Sequence, residues 1–430
     1  MAPEPRGFES WSEFVRWASD LLRPGIGLKR WLAAAALGSL LLWLGVSFAL
    51  SKGVTSTLHE IGWTITLGGI LPPLVRGIIF ALPGGTLVLL GLFMLYRRIA
   101  IGSQYTQGRA SVIRNLTLQR ARQRGPRVVV IGGGTGQATV LRGLKQFTDH
   151  TTAVVTVADD GGSSGRLREE LGIPPPGDAR QCLIALSDAE ELLERAFNYR
   201  FSSLGELDGH SLGNLMIAAL TGSEGGFTEG LHAAGRLLAV HGQVIPSTLA
   251  ADVHISARLA DGRVVRGESM IGQAEAPITE IGLEPSDASA NPAALDALQQ
   301  ADVIVIGPGS LYTSILPNFM VPGFSAAVQA SSAPKMFICN IATQHGETDG
   351  MSAVDHLNAF ERHAELNVSH FLQNRTIHAI ASRYHQTPLE PTTDHLRQKA
   401  QVVHRDLIDD AMPTRHDPTK LAKAILDLVR

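Results

Sequence analysis

Two long apolar runs without a charged side chain dominate the hydropathy pattern near the start of the chain, at residues 31–50 and 77–96. A helix of about 20 residues is about 30 Å long, which matches the hydrocarbon core of a bilayer. We therefore predict two transmembrane helices rather than buried core helices. The first run begins too late and is too long for a cleaved signal peptide. The weaker run at 61–75 contains Gly-Gly and Pro-Pro pairs, so we expect it to be interfacial or outside.

Basic residues precede the first run and follow the second, whereas the segment between the runs has only two of them, Lys52 and Arg76. Basic residues favour the cytoplasmic side, so we expect a multi-pass protein of the inner or plasma membrane with both ends in the cytoplasm. Residues 1–30 then form a cytoplasmic segment and 31–96 the membrane module. Residues 97–126 form a basic linker, either solvated or bound to anionic lipid. The flanking basic residues are Arg16, Arg23, Lys29 and Arg30 on one side, and Arg97, Arg98, Arg109, Arg114, Arg120, Arg122, Arg124 and Arg127 on the other.

From residue 127 to 430 the pattern changes to short β-branched runs separated by glycines and helical stretches. Runs that are apolar on both faces are typical of buried parallel strands, and their alternation with helices predicts a doubly wound α/β domain. The strand candidates are residues 127–131, 153–157, 303–306 and 335–339.

Two further elements interrupt or close this pattern. Residues 252–268 alternate between polar and apolar on both sides of Asp261-Gly262, which predicts a small antiparallel hairpin insertion. Residues 418–429 have the spacing of an amphipathic helix that ends the domain.

Composition narrows the functional classes. A length of 430 residues allows about two domains and an extra module. The net charge of −3 gives no reason to expect a nucleic-acid partner. Two cysteines, Cys182 and Cys339, exclude a disulfide framework and a cysteine-rich zinc site. The histidines lack metal-ligand spacing, and no nucleophile with a partnered base is evident.

A glycine-rich turn follows the first predicted strand. Glycines let a backbone turn approach a phosphate, and the amides at the following helix N-terminus face the anion. The turn lacks the Lys-Ser/Thr of a Walker loop, and Gln137 replaces the third glycine of a dinucleotide fingerprint. It is therefore a candidate phosphate site or only a tight connection. Its residues are Gly132, Gly133, Gly134, Thr135 and Gly136.

A second polar loop follows the next predicted strand. Its two acids are suited to a hydroxylated ligand or a divalent ion such as Mg²⁺, and its serines and arginine to phosphate. A solvated loop that caps a helix is the alternative. The candidate residues are Asp159, Asp160, Gly161, Ser163, Ser164 and Arg166.

Four later segments add hydrogen-bonding groups. Asp178 and Arg180 either contact ligand or pair with each other, and Asn214 is either a helix N-cap or a ligand contact, whereas a structural role is favoured for His210. Another glycine turn follows the predicted strand at 303–306, and a polar turn follows the one at 335–339. A topological switch point would place a crevice at the carboxyl ends of such strands. The candidates in these two turns are Gly307, Gly309, Ser310, Asn340 and Thr343.

Six stretches of the α/β part resemble, in order, the motifs of the bacterial gluconeogenesis factor (YvcK-like) family, within the 2-phospho-L-lactate transferase superfamily of CofD-like fold. The resemblance covers about residue 127 to the C-terminus. The stretches read VVVIGGGTG, ADDGGSSGRLR, GDARQCLIALS, GHSLGNLMIAAL, ADVIVIGPGSLYTSILPN and ICNIATQHGETDG.

This resemblance implies a modified Rossmann-like domain whose crevice binds a nucleotide-containing ligand. In it, the turn from Gly132 to Gly136 would hold phosphate, and Asp159 and Asp160 match an acidic pair beside the acceptor in the transferase. The segment from Gly307 to Ser310, and Asn340, would line the crevice. His345 replaces the proline of the family's QPGET motif, which relaxes that loop. The N-terminal membrane module is absent from many members.

The residues and the resemblance together leave three hypotheses about function. The first is a membrane-tethered regulatory protein that binds a UDP-sugar such as UDP-N-acetylglucosamine and supports cell shape and envelope synthesis on gluconeogenic carbon sources. Envelope-synthesis proteins, membrane lipid and a second copy of the chain are then the expected partners. The alternative is a phospho-group transferase that uses a nucleotide diphosphate donor and Mg²⁺ held by Asp159 and Asp160. The third hypothesis is structural binding of NAD.

Overall fold

The computed structural model describes residues 28–49, 72–103, 118–202, 205–274, 276–381, 383, 385–392 and 400–429. The chain divides into two compact units, residues 1–121 and 122–430. Predictions for the first 27 residues, for the connection at 50–71 and for residues 104–117 of the linker lie outside the described residues.

The first unit contains two long helices, α1 (Leu28–Ala49) and α2 (Pro73–Ser103). Within them, Arg30–Ala49 and Gly77–Tyr96 are each 20 residues long and apolar enough to cross a membrane. Large apolar side chains such as Leu82 and Leu89 are mostly exposed on the helix surface. The helices thus have the length and composition that the sequence predicts for two spans, and their orientation stays a prediction.

Glycines bring α1 and α2 into close antiparallel contact. A Cβ added at Gly38 would lie 2.7 Å from the Gly84 carbonyl oxygen, and one at Gly45 would lie 2.4 Å from the Ala81 nitrogen. Small residues let two apolar helices approach at backbone distance, which increases their van der Waals contact.

Substitution of Gly84 is expected to separate these helices. A Cβ at Gly84 would lie 2.5 Å from the Leu42 nitrogen, whereas nothing lies within 4 Å of one at the neighbouring Gly85. We expect Gly84→Leu to cost about 1–3 kcal/mol through overpacking and Gly85→Leu to cost far less. Trp31 and Trp43 lie in α1, so tryptophan emission during titration with a denaturing detergent measures the midpoint. Equal midpoints for the two variants would contradict the packing.

The second unit is built on a seven-stranded sheet in which every pairing is parallel. Its strands are β1 (Val128–Gly132), β2 (Thr151–Val155), β3 (Gln243–Pro246), β7 (Val303–Ile306), β8 (Lys335–Ile338), β9 (His370–Asn374) and β10 (Gln401–Arg405), in the spatial order β10-β9-β8-β7-β1-β2-β3. The order reverses between β1 and β7, which is the topological switch point of a doubly wound fold.

Helices cover both faces of this sheet. They are α3 (Gly134–Leu144), α4 (Gly162–Leu171), α5 (Gly177–Leu186), α6 (Glu190–Phe197), α7 (Leu212–Glu224), α8 (Phe227–Leu237), α9 (Glu268–Ile271), α10 (Pro292–Gln300), α11 (Leu316–Met320), α12 (Phe324–Ala330), α13 (Ala353–Ala364) and α14 (Pro418–Asp427).

Alternate residues of each central strand belong to separate apolar cores. Val129 and Ile131 pack in one core, and Val128 and Val130 in the other. Burial on both faces explains the uninterrupted apolar runs in the sequence. The predicted α/β fold with a parallel sheet is therefore confirmed.

The predicted insertion is a three-stranded antiparallel sheet rather than a two-stranded hairpin. The strands β4 (His254–Leu259) and β5 (Val264–Arg266) form the predicted hairpin, and β6 (Ile278–Glu284) pairs with the other edge of β4. The third strand gives the apolar face of the hairpin enough partners to be stable.

Candidate functional site

A cavity of about 650 Å³ opens where the loops after β1, β2, β7 and β8 leave the sheet. In a parallel sheet these loops share one edge, so distant segments of sequence meet there. The predicted residues that line the cavity are Gly133, Gly134, Thr135, Gly136, Asp159, Asp178, Gly309, Ser310, Asn340 and Thr343.

The glycine turn after β1 lies in direct contact with the turn after β7. A Cβ at Gly136 would lie 2.3 Å from the Pro308 carbonyl oxygen, and one at Gly133 would lie 2.3 Å from Asp178 Oδ2. Gly134 has φ of +60°, a conformation that glycine adopts at little cost. The N-cap residue Gly133 has no side chain to cap α3, and the Asp178 carboxyl group accepts from the Gly134 N–H at the start of the helix. Thr135 and Gly136 border the cavity as well.

The backbone amides of the turn after β7 largely donate to side chains of the same unit. The Asn340 side chain accepts from the Gly309 N–H at 3.1 Å and donates to the Gly309 carbonyl at 2.9 Å. Buried Glu347 accepts from the Tyr312 N–H at 3.2 Å and from the Thr313 hydroxyl at 2.8 Å. Because these donors are occupied, the second turn shapes the cavity and has few backbone donors left for a ligand.

Three carboxyl groups, those of Asp159, Asp178 and Glu268, line one part of the cavity. Burial, and then the charge of Asp159, raises the pKa of Asp178 to about 7. Burial, and then the charges of Asp178 and Asp159, raises the pKa of Glu268 to about 9. At neutral pH Glu268 therefore carries a proton and Asp178 is about half protonated. This wall is thus less negative than three carboxyl groups suggest, which reduces its repulsion of an anionic ligand.

Asp160, the second member of the predicted acidic pair, does not line the cavity. Its carboxylate accepts from the Ser269 N–H at 3.0 Å and from the Ser269 hydroxyl at 2.8 Å, whereas Asp159 accepts from the Gly161 N–H at 2.9 Å. No group of three or more histidine, cysteine or acidic side chains suited to a metal ion occurs among the described residues. Only Asp159 of the predicted pair therefore borders the cavity, and the Mg²⁺ site stays a prediction.

Several predicted residues instead form a buried polar cluster outside the cavity. The Asn214 amide donates to the hydroxyls of Ser163 at 3.1 Å and Ser164 at 3.3 Å. Arg180 donates to the Ser211 hydroxyl at 2.5 Å rather than pairing with Asp178. Ser211, not Asn214, caps α7, because its side chain accepts from the Asn214 N–H. The cluster fixes α4, α5 and α7 against one another.

His210 has the structural role expected for it, since it is buried and lies 3.1 Å from the Ser163 hydroxyl. Burial is the main cause that lowers the pKa of this imidazole. Arg166 donates to the Asp208 carbonyl at 2.5 Å and so holds the segment before α7. Gly132, Gly161 and Gly307 also lie outside the lining, at the ends of β1 and β7 and in the loop after β2.

The cavity also contains residues that the sequence analysis missed. Arg415 is the lining residue with a permanent positive charge, and its exposed guanidinium forms no ion pair within the described part of the chain. His416 is 6% exposed, and its Nε2 has no hydrogen-bond partner there. Burial lowers the pKa of His416 to about 4, so the ring is neutral at pH 7. The other missed lining residues include Gln181, Glu268, Gln344, Gln386, Met412 and Thr414.

Known proteins resemble this chain over most of its length. A family model described as 2-phospho-L-lactate transferase CofD matches residues 128–425. A putative gluconeogenesis factor from Nostoc sp. is 40% identical, covering 96% of this chain and 92% of that protein. The gluconeogenesis factor of Bacillus subtilis is 41% identical, covering 71% of this chain and 98% of that protein.

A solved structure matches the second unit. The crystal structure of a member of the UPF0052 family from Bacillus halodurans is 42% identical, has a TM-score of 0.66, and covers 70% of this chain and 99% of that chain. The resemblance read from the six motifs is thereby confirmed. Relatives occur in two lengths, because the match to the Nostoc protein extends into the first unit, whereas the Bacillus proteins match little beyond the second.

Proposed function

Since this chain belongs to the CofD family and is similar to the gluconeogenesis factors within it, we propose that it is a membrane-tethered, cytoplasm-facing regulatory protein that binds a UDP-sugar. Its proposed output is control of cell shape and envelope synthesis during growth on gluconeogenic carbon sources.

One observation carries the binding proposal: the glycine turn that begins α3 borders a large cavity at the switch point of the parallel sheet. A helix N-terminus favours an anion, because its backbone amides and the helix dipole point toward it, and the Asp178 carboxyl group already accepts from one of these amides, that of Gly134. Arg415 adds a full positive charge to the same cavity. Together these groups suit a diphosphate.

The uncharged lining suits the remainder of a nucleotide sugar. Gln181, Gln344, Gln386 and Thr343 all border the cavity and offer donors and acceptors without charge. Ligand sites are commonly 300–1,000 Å³ in volume, a range that includes this cavity. A hydroxylated, largely uncharged ligand attached to a diphosphate therefore matches both parts of the lining.

The tether is supported by the two apolar helices of the first unit and by the glycine seam between them. Enzymes of envelope synthesis use UDP-sugars at the cytoplasmic face of the membrane. A sensor anchored there would meet both the ligand and these partners. Because Bacillus relatives lack most of the first unit, ligand binding is assigned to the second unit alone.

Calorimetric titration of the full chain in mild detergent tests this function. We expect saturable binding of UDP-N-acetylglucosamine and of UDP, and weaker binding of NAD. Arg415→Ala should weaken both uridine ligands about 10- to 100-fold, because a charge-assisted contact to phosphate contributes about 1.5–3 kcal/mol. Arg405→Ala is the matched control, since Arg405 is exposed on β10 and outside the cavity. Absence of binding by either uridine ligand at millimolar concentration would refute the proposal.

A phospho-group transferase is the second candidate, favoured by two carboxyl groups that retain protons in the cavity, those of Asp178 and Glu268. A carboxyl group with a pKa near neutrality can transfer a proton to a leaving group. The same titration samples distinguish the candidates after prolonged incubation. Intact ligand supports a binding protein, whereas UMP together with sugar phosphate recovered on water or on an added alcohol acceptor supports a phospho-group transferase, because that transfer breaks the pyrophosphate bond.

A further inference from the structure

The short helix α9 connects the antiparallel insertion to the rim of the cavity. Its start is fixed by Asp160, whose carboxylate accepts from the Ser269 N–H at 3.0 Å and the Ser269 hydroxyl at 2.8 Å. Gly267 has φ of +93°, and a Cβ there would lie 2.0 Å from Asp160 Oδ2. Only glycine fits this approach without displacement. Asp160 therefore fixes the start of α9, and with it the position at which the Glu268 side chain enters the cavity.

Glu268 lines the cavity, yet its carboxyl group forms no hydrogen bond or ion pair with another described side chain. Asp159 and Asp178 line the same part of the cavity, and Glu347 and Asp160 are the other acids whose charges act on Glu268. Because its pKa is raised to about 9, Glu268 carries a proton at pH 7 and offers both an O–H donor and a carbonyl acceptor. A half-buried polar group of this kind, without a partner, is suited to contact a ligand.

We propose that Glu268 is the residue through which the antiparallel insertion recognises the uncharged sugar of the bound ligand, while the α3 N-terminus and Arg415 hold the diphosphate. This inference rests on the proposed function and adds to it the residue that distinguishes a nucleotide sugar from a bare nucleotide. The hydroxyl groups of the sugar can accept from a protonated carboxyl group and donate to its carbonyl oxygen, and a carbonyl oxygen of the sugar can accept from it. A diphosphate offers no donor to that carbonyl oxygen, and the charges of Asp159 and Asp160 act against an anion beside Glu268.

Ligand contact at Glu268 would also bind the insertion more firmly to the rest of the unit. At its C-terminus, α9 is followed by Gly272. The Gly272 carbonyl oxygen packs closely against Gly346, since a Cβ added at Gly346 would lie 2.3 Å from it. The segment is thus held between Asp160 and the loop after β8. A sugar that contacts Glu268 is expected to protect the amides of residues 269–272 from hydrogen exchange, and UDP alone is not.

The test compares UDP-N-acetylglucosamine with UDP in the full chain. Glu268→Ala should weaken the nucleotide sugar about 10-fold and leave UDP within about 2-fold, because one hydrogen bond accounts for about 1 kcal/mol and adjacent packing for some more. Glu268→Gln keeps a neutral donor and acceptor, so it should bind both ligands within about 3-fold of the wild type. Glu280→Ala is the control, since Glu280 is an exposed glutamate of the same insertion.

The outcomes separate this inference from the proposed function. If the wild type binds neither UDP nor the sugar nucleotide, the proposed function fails. If Glu268→Ala binds the sugar nucleotide as the wild type does, or loses UDP equally, the role of Glu268 fails and the function stands. Exchange protection of residues 269–272 by both ligands alike would also overturn it, and this readout needs no variant. Thermal unfolding of each variant checks that it is folded.

Discussion

Gly136→Ala is expected to destabilise the second unit by about 2–3 kcal/mol and to abolish measurable diphosphate binding. The added Cβ would lie 2.3 Å from the Pro308 carbonyl oxygen and 2.8 Å from Gly309 Cα. Both are backbone atoms of a turn held by Asn340, so they cannot rotate away. The two turns must separate, which displaces the first amides of α3 from the position where they meet the ligand.

Gly222→Ala is the matched control for this prediction. Gly222 also lies inside a helix, α7, but nothing lies within 4 Å of an added Cβ. Alanine is the better helix former by about 1 kcal/mol, so this variant should be slightly more stable than the wild type. Denaturant unfolding and UDP titration of both variants check the pair. A stabilising effect at both positions would show that the turns after β1 and β7 are not packed as described.

The second unit should lose stability as the pH rises from 7 to 9, above the range in which buried histidines such as His416, with its pKa lowered to about 4, have the opposite effect. The pKa of Asp178 is raised from 3.8 to about 7, and that of Glu268 from 4.5 to about 9. Across these intervals the folded state keeps protons that the unfolded state has released, so unfolding becomes more favourable with increasing pH. One pKa unit corresponds to about 1.4 kcal/mol, so between pH 7 and 9, where mainly the Glu268 titration contributes, we expect a loss on the order of 3 kcal/mol.

Neutral replacements should remove most of this dependence. Asp178→Asn and Glu268→Gln each delete one buried titration, so each should flatten the pH profile, and their double variant should flatten it most. The exposed Glu280→Gln should leave it unchanged. All five tryptophans precede residue 64, so hydrogen exchange of β1 and β7 amides reports on this unit better than fluorescence does. A profile that rises between pH 7 and 9 would be incompatible with two buried acids.

The sequence predicted the centre of the fold better than its periphery. The strands β1, β2, β7 and β8 are buried on both faces, so their apolar runs are uninterrupted. The edge strand β10 is exposed at both of its ends, and β3 ends in proline. Strands of this kind have only a short apolar pattern, which the sequence alone does not distinguish from loop.

The candidate site was predictable only where its residues follow a strand. Glycine turns and acids directly after β1, β2 and β7 carry a local signal, because the carboxyl ends of parallel strands meet at one edge. Glu268 and Arg415 carry no such signal, since tertiary packing brings them from the insertion and from the segment before α14. Ser163 and Asn214 were predicted as ligand contacts because they are small polar residues in glycine-rich loops. They instead form hydrogen bonds with each other in a buried cluster.

The cavity lining that comes from residues 412–416 has a consequence for synthesis of the protein. The glycine turn at 133–136 leaves the ribosome almost three hundred residues before this segment does, and both border the same cavity. A nascent chain whose residues 412–416 are still inside the ribosome therefore lacks the guanidinium and imidazole of Arg415 and His416, so the proposed nucleotide ligand would stabilise only longer chains. Shorter ribosome-bound intermediates would then be insensitive to metabolite supply.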